Sequence, residues 1–414
     1  MSDPNPRDDW QGLGDLISLT VERLVAPVEG IHRAISDRWF GLAGPGVDPL
    51  RRAYQGYTAG IYRSVRVSGD AIGKAMGWWA ASAARRGGLR GLWDSRLGAG
   101  VQATANALWG DELERRGSHL GIEMGLRDAE GAPLGSNPTS ITEALVEPTG
   151  RIVVLLHGLG ETERCWLGRT DTDETSLADV LMDEAFTPLL VRYNTGRHVS
   201  DNGMVLAALL EEIVDGWPVA VEEVDLVGHS MGGLVARSAV SAGKACGHRW
   251  TEAARHLVTL GSPHLGSPLE KGANLVSWGL GFAPESRPLG EFLDGRSVGI
   301  KDLRFGAVVE KDWRDADPNA LVTDLIGEVP VPVNVEQHFV AGVVTNEPNH
   351  PFGVLVGDLI VRAASGTGRG RRRRIEATDV VVFGGRSHLD LLHDPGVHSQ
   401  VLDWFTAEPT AQGA

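Results

Sequence analysis

The sequence predicts an α/β fold, a mostly parallel sheet with helices on both faces, behind an N-terminal segment that is helical throughout. Two observations predict the sheet. After residue 115, short and nearly continuous apolar runs alternate with segments of helical length, the pattern of strands buried on both faces. Gly228-His229-Ser230-Met231-Gly232 then stands where one apolar run gives way to a helical one. A third observation sets the N-terminal part aside: before residue 115 the apolar residues recur at spacings of three and four.

Residues 13–38 place Leu16, Leu24, Val28, Ile31 and Ile35 on a helical spacing, as one helix or a pair broken at Pro27. Asp48-Pro49 is a cap followed by proline at the first helical position. Tyr54, Tyr57, Ile61 and Val65 follow on one face. Residues 70–85 and 97–115 give two further helices. The segment 1–115 holds Trp10, Trp39, Trp78, Trp79, Trp93 and Trp109, half of the 12 tryptophans. Its glycines stand four apart, at Gly56/Gly60 and Gly69/Gly73/Gly77, which permits close helix approach. It reads either as a tightly packed helical layer or as an amphipathic surface that meets lipid or a partner.

The domain that follows spans 116–408. Its expected strands are 121–126, 151–156, 188–193, 221–227, 256–260, 338–344 and 379–383, with helices such as 203–214 and 231–242 between them. Residues 264–335 interrupt the alternation and read as an insertion. A final helix opens with Asp394 as cap and Pro395 behind it, and carries Val397, Val401 and Phe405. Residues 409–414 are expected to be a disordered tail.

Composition excludes several classes. A formal charge of −15 over 414 residues opposes nucleic-acid binding, which needs a basic face. It also disfavours simple electrostatic docking on an anionic membrane. Cys165 and Cys246, the only two cysteines, give neither a metal spacing nor a disulfide framework, which favours a reducing compartment. Residues 1–10 lack the basic and apolar regions of a secretory signal. Residues 71–84, the most membrane-like stretch, are too short and interrupted to span. The expected location is cytoplasmic, with peripheral membrane contact left open and oligomeric state unassigned. Arg369 and Arg371 to Arg374 form a basic run, read as a solvated loop or an anchor for anionic head groups. Thr170 to Glu174 is acidic but lacks the glycine and terminal glutamate of a calcium loop, so no metal and no cofactor are expected.

A Gly-x-Ser-x-Gly between strand and helix is a nucleophile elbow: the serine stands on a strained turn, and flanking glycines let strand and helix come close. Ser230 is the expected nucleophile. A serine alcohol needs a histidine base and an acid to orient it, and here both should follow it in the chain. His388 comes directly after the last expected strand, ahead of His393 and His398. Asp358 follows the strand before it, whereas Asp390, Asp379 and Asp225 suit structural places better. The oxyanion donors are then the amides of Met231, next to the serine, and of Leu159 in His157-Gly158-Leu159-Gly160. His157 and His229 are expected to act through their backbone positions rather than their rings. Arg192, Tyr193, Arg197 and His198 run toward the same sheet edge and read as pocket lining or structural.

These residues resemble a known group. His157-Gly-Leu-Gly160, Gly228-His-Ser-Met-Gly-Gly233 and Leu260-Gly-Ser-Pro-His-Leu-Gly-Ser-Pro268 are similar to the lipase and esterase branch of the α/β-hydrolases, most of all the GPI inositol-deacylase-like lipases, over about residues 145–405. Asp358-Leu-Ile-Val361 matches the family's acid element and His388-Leu-Asp-Leu-Leu392 its histidine element. The resemblance implies an α/β-hydrolase fold and a lid or cap at 264–335. It implies a serine hydrolase acting on carboxylic esters of apolar acyl chains. An acyltransferase or amidase using the same triad stays open, as does a non-catalytic protein that binds a lipid surface or granule. Residues 1–115 fall outside the family pattern, and fold relatives differ widely in substrate.

Overall fold

The computed structural model describes residues 6–43, 45–84, 93, 95–135, 138–145, 147–167, 175–267, 270, 277, 280, 283–315, 329, 331–370 and 373–407. Thr170 to Glu174, Arg371, Arg372 and the 409–414 tail lie outside the described residues. The chain forms two compact units, Met1–Ile122 with Lys271–Ser297, and Glu123–Glu270 with Val298–Ala414. The sequence divided the chain near residue 115 and gave all of 264–335 to the second part. In the structure Lys271–Ser297 groups with the N-terminal helices.

In the first unit α1 (Pro6–Ala43) and α2 (Asp48–Ala84) lie antiparallel, with Gly14 against Gly73, Val21 against Gly69 and Asp37 paired with Arg51. A Cβ on Gly14 would fall 2.5 Å from the Gly73 carbonyl oxygen, and one on Gly73 2.6 Å from that of Gly14. Only hydrogen at both positions allows backbones this close. Of the two readings of residues 13–38 the single helix holds, since Pro27 lies inside a continuous α1. One expectation changes: the helix opening at Asp48-Pro49 and the one expected at 70–85 are a single helix, α2. Gly69, Gly73 and Gly77 face α1 as a packing stripe, whereas a Cβ at Gly56 or Gly60 would meet nothing within 4 Å.

Helix α3 (Arg96–Arg115) begins at Ser95, whose side chain accepts the Gly98 N–H. A small core joins Leu19, Trp93, Ala105, Leu113 and Leu120. The helix Arg287–Asp294 completes the unit: Gly30 abuts Pro288, Arg38 pairs with Glu285 at 2.8 Å, and Ser297 Oγ donates to Ala107 O at 2.5 Å. The tryptophans divide in role. Trp93 is buried, whereas Trp39, Trp78 and Trp79 are 71%, 65% and 69% exposed. Among the described residues no helix is long and apolar enough to cross a membrane.

The second unit is built on one sheet in the order β2-β1-β4-β3-β5-β6-β7-β8. Its strands are β1 (Gly125–Arg127), β2 (Pro133–Leu134), β3 (Arg151–Leu156), β4 (Thr187–Arg192), β5 (Glu223–His229), β6 (Ala254–Leu260), β7 (Glu336–Val343) and β8 (Asp379–Gly384). β1 pairs antiparallel with β2 and β4, and every other pairing is parallel. Alternation along β3 shows why the sheet is covered on both sides. Ile152, Val154 and Leu156 pack in one core with Leu206 and Leu210 of α6 (Val199–Asp215) and Leu234 and Val235 of α7 (Met231–Cys246). Val153 and Leu155 pack in the other with Leu177 and Leu181 of α5 (Leu177–Asp183) and Val401 and Phe405 of the final helix, Pro395–Thr406. α4 (Pro138–Ala144) lies between β2 and β3. Asp394 caps the final helix as expected, accepting the Gly396 and Val397 N–H groups.

Candidate active site

Parallel strands bring their carboxyl ends to one edge, and the residues that follow β3, β5, β6, β7 and β8 meet there. Ser230 is the hinge between β5 and α7. Its backbone sits at φ +53°, ψ −119°, a left-handed conformation that a serine adopts only under constraint. The constraint comes from close packing. A Cβ on Gly228 would strike the Gly233 amide nitrogen at 2.3 Å, and one on Gly232 the Leu156 carbonyl at 2.4 Å. The Ser230 N–H donates to Leu260 O at 2.8 Å, which ties the turn to the end of β6. The side chain makes no capping bond to α7.

Asp358 follows β7 and His388 follows β8. They are 2% and 5% exposed, and His388 Nδ1 lies 2.7 Å from Asp358 Oδ2. The backbone repeats the link, His388 N–H to Asp358 O at 3.1 Å. Asp358 Oδ1 accepts the Ile360 and Val361 amides at 3.0 and 2.7 Å, so its carboxylate is fixed by its own loop. Leu359 takes φ +84° in making that loop. Gly261, next after the residue that holds the Ser230 amide, places its Cβ position 3.1 Å from the His388 ring. The structure thus brings Ser230, Asp358 and His388 to one place. Among the described residues no hydrogen bond closes between the Ser230 hydroxyl and the His388 ring, a contact that often tightens only with substrate.

The loop after β3 lies against the elbow: the Gly158 Cβ position is 3.1 Å from Ser230 Cβ. The amides on either side of Leu159 are engaged, Gly158 N–H with Glu161 Oε2 at 2.7 Å and Gly160 N–H with Thr195 Oγ1 at 3.3 Å. Met231, buried, supplies the first amide of α7.

Sequence reasoning missed Glu161 and undervalued His229. The His229 ring lies between two acceptors, Glu161 Oε2 at 3.0 Å from Nδ1 and the His388 carbonyl at 3.1 Å from Nε2. An imidazolium has a donor for each. Burial opposes its charge, yet Glu161, the His388 carbonyl and Asp358 raise its pKa above the ordinary value. Burial likewise opposes ionised Glu161, but His229 and the Gly158 amide outweigh it and hold the carboxyl down at about 2. This pair, buried His229 with half-buried Glu161, steadies the elbow, the 157–160 loop and the His388 backbone together. Its members stand far apart in sequence, and no local pattern marks them.

The residues set aside earlier have structural partners. Arg192 meets buried Glu163 with two bonds, at 2.6 and 2.5 Å. Tyr193 OH donates to His157 O at 2.6 Å, and His157 stacks on it with centroids 4.4 Å apart. His198 bonds Asp302 and stacks on Trp313. Asp390 accepts from Ser387 N–H and Oγ–H, Asp379 from Trp404 Nε1–H, and Asp225 from the His256 N–H. The described residues grouped so as to ligate a metal are His256, Glu336 and His338, at the opposite edge of the sheet.

Residues 191–279 match the PGAP1-like alpha/beta domain. No curated protein matches the sequence. Among solved structures, the chain is similar to Bacillus licheniformis lipase BlEst2 in its propeptide form, at 21% identity and TM-score 0.44 over 65% of this chain and 54% of that one. It thus spans about half the length of that protein. The mature form of BlEst2 gives 20% and 0.41 over 64% and 96%. Pyrococcus furiosus esterase PF2001 gives 13% and 0.36 over 62% and 81%. With an elbow after β5, a carboxylate after β7 and a histidine after β8, the chain has an α/β-hydrolase fold, and its residues 191–279 match the PGAP1-like alpha/beta domain.

Proposed function

We propose that the chain is a serine hydrolase that cleaves carboxylic esters of apolar acyl chains through an acyl-enzyme. The observation that carries this reading is the buried His388–Asp358 pair, set against Gly261 beside the strained Ser230 turn. Ser230 Oγ adds to the ester carbonyl carbon while His388 Nε2 takes its proton. Asp358 holds the Nδ1–H tautomer and stabilises the imidazolium. The Leu159 and Met231 amides bind the oxyanion, and fixed donors of this kind are commonly worth about 3–4 kcal/mol of barrier each. As the intermediate collapses, His388 returns the proton to the leaving alcohol. Water then repeats the cycle on the acyl-enzyme, and no step calls on a cofactor.

Peripheral contact with a lipid surface belongs to the same reading. Leu24, Val28, Ile35 and Trp39 on α1, and Tyr57, Ile61, Val65 and Trp79 on α2, are exposed apolar positions at helical spacing, a face suited to the interface where such esters lie. The test is fluorophosphonate labelling of the full chain, followed by turnover of p-nitrophenyl esters of increasing chain length with and without an added alcohol or amine. Labelling at Ser230 with hydrolysis that favours longer chains is expected. Capture of the acyl group mainly by the added acceptor would move the assignment to an acyltransferase.

A further inference from the structure

His256 on β6 and Glu336 and His338 on β7 stand at the amino-terminal edge of the sheet, away from Ser230. The register sets His256 opposite Glu336, and His338, two residues on, shares a face with Glu336. Farther along that face Val258, Leu260 and Val340 enter the core beneath the final helix. His256 Nδ1 and His338 Nε2 are 3.2 Å apart, and Glu336 Oε2 is 3.6 Å from His338 Nε2. The three ligand atoms lie within 4.8 Å of one another. Two nitrogens at about 2.0–2.1 Å from a tetrahedral Zn²⁺ stand roughly 3.3–3.4 Å from each other. The two rings are therefore at the spacing of ligands to one ion.

The rings are also held in place. His338 stacks on Trp404 with centroids 4.5 Å apart and planes 15° apart, and Trp404 Nε1–H donates to Asp379 Oδ2 at 3.1 Å. The His256 ring faces Phe405 at 5.4 Å, and the His256 backbone N–H donates to Asp225 Oδ1 at 2.9 Å. The Glu336 side chain is 34% exposed, so water reaches that side of the trio. Two imidazoles and one carboxylate form a donor set for Zn²⁺, whereas Mg²⁺ and Ca²⁺ prefer all-oxygen shells.

We propose that His256, Glu336 and His338 bind one Zn²⁺, with water as fourth ligand, and that the ion ties β6 to β7 beneath the final helix. The test uses the full chain, stripped with a chelator and titrated with Zn²⁺ in a calorimeter, with thermal unfolding followed in parallel. One Zn²⁺ per chain and a Tm that climbs with free Zn²⁺ are expected. His256→Gln and Glu336→Gln should each weaken binding about tenfold or more while leaving ester turnover unchanged. Should a histidine variant not fold, Glu336→Gln at its half-exposed position and Co²⁺ substitution of the native chain, read by the visible bands of a tetrahedral nitrogen–oxygen site, still decide the matter. Absence of stoichiometric Zn²⁺ uptake, or unchanged affinity in Glu336→Gln and His256→Gln, would overturn the proposal and leave the two rings a hydrogen-bonded pair.

Discussion

Ser230 is buried in a backbone conformation that its neighbours enforce, so its replacement tests chemistry rather than folding. Ser230→Ala should abolish fluorophosphonate labelling and lower ester turnover by several powers of ten, with an unchanged melting curve. Normal labelling of that variant would remove the elbow from the mechanism. Asp358→Asn should keep the fold and lose roughly 10⁴ in turnover, because the amide favours the wrong His388 tautomer; a larger loss in Asp390→Asn would transfer the role. The His229–Glu161 pair gives a pH signature in stability. His229 is raised, so its contribution is whole below its ordinary 6.5 and fades as pH climbs through the raised value. Glu161 is depressed to about 2, so its contribution is whole above its ordinary 4.5 and fades as pH falls toward 2. Glu161→Gln should therefore lower Tm most between about pH 4.5 and 6.5, and less both in strong acid and in alkali, by scanning calorimetry across pH. A pH-independent difference would show that the pair is not ionised. Ser230, Asp358 and His388 were readable because each follows a strand in fixed order. Glu161 was not, because its place depends on a loop that folds back over the elbow.

At the scale of the element, the parallel strands were legible, whereas the run expected as a strand at 121–126 gives only the three residues of β1 (Gly125–Arg127), and the helices were less legible. β3 begins and ends where its apolar run does, and β4 to β8 fall within a few residues of theirs, because short runs rich in β-branched and apolar residues have a composition no loop shares. β2 has only two residues, and no periodicity exists over two. α1 and α2 were harder for the opposite reason. Proline and glycine ordinarily end helices, but here a long partner helix supplies the packing that overrides them. Gly73 makes this testable. Gly73→Val places methyl groups where the Gly14 carbonyl and Ser18 Oγ stand, each 2.6 Å from the Cβ position. It should destabilise the hairpin by about 1–3 kcal/mol, while Gly60→Val, which meets nothing, should not; equal effects would mean the helices are not held by this contact.

For the molecule as a whole, in the proposed function the first unit offers its exposed apolar stripe to the surface where such esters lie. Its exposed stripe is tested without disturbing the fold by Ile35→Glu with Ile61→Glu, at positions 43% and 44% exposed. Turnover of a dispersed long-chain ester should fall severalfold while that of a short soluble ester stays level. Equal turnover on both would separate the stripe from substrate delivery.

The first unit is also discontinuous: Met1–Ile122 is completed by Lys271–Ser297, which arrives only after β6. During synthesis the ribosome therefore releases the α1–α2 hairpin, and then six of the eight strands, before Pro288 exists to cover Gly30 or Ser297 to bind Ala107. The N-terminal unit begins first and cannot close until residue 297 has emerged. A ribosome paused before that point carries a half-formed unit with Gly30 and the Ala107 carbonyl still unmet, the kind of exposed intermediate that recruits chaperones. Cleavage of any single peptide bond between residues 123 and 270 would still leave the two units joined through the later connection.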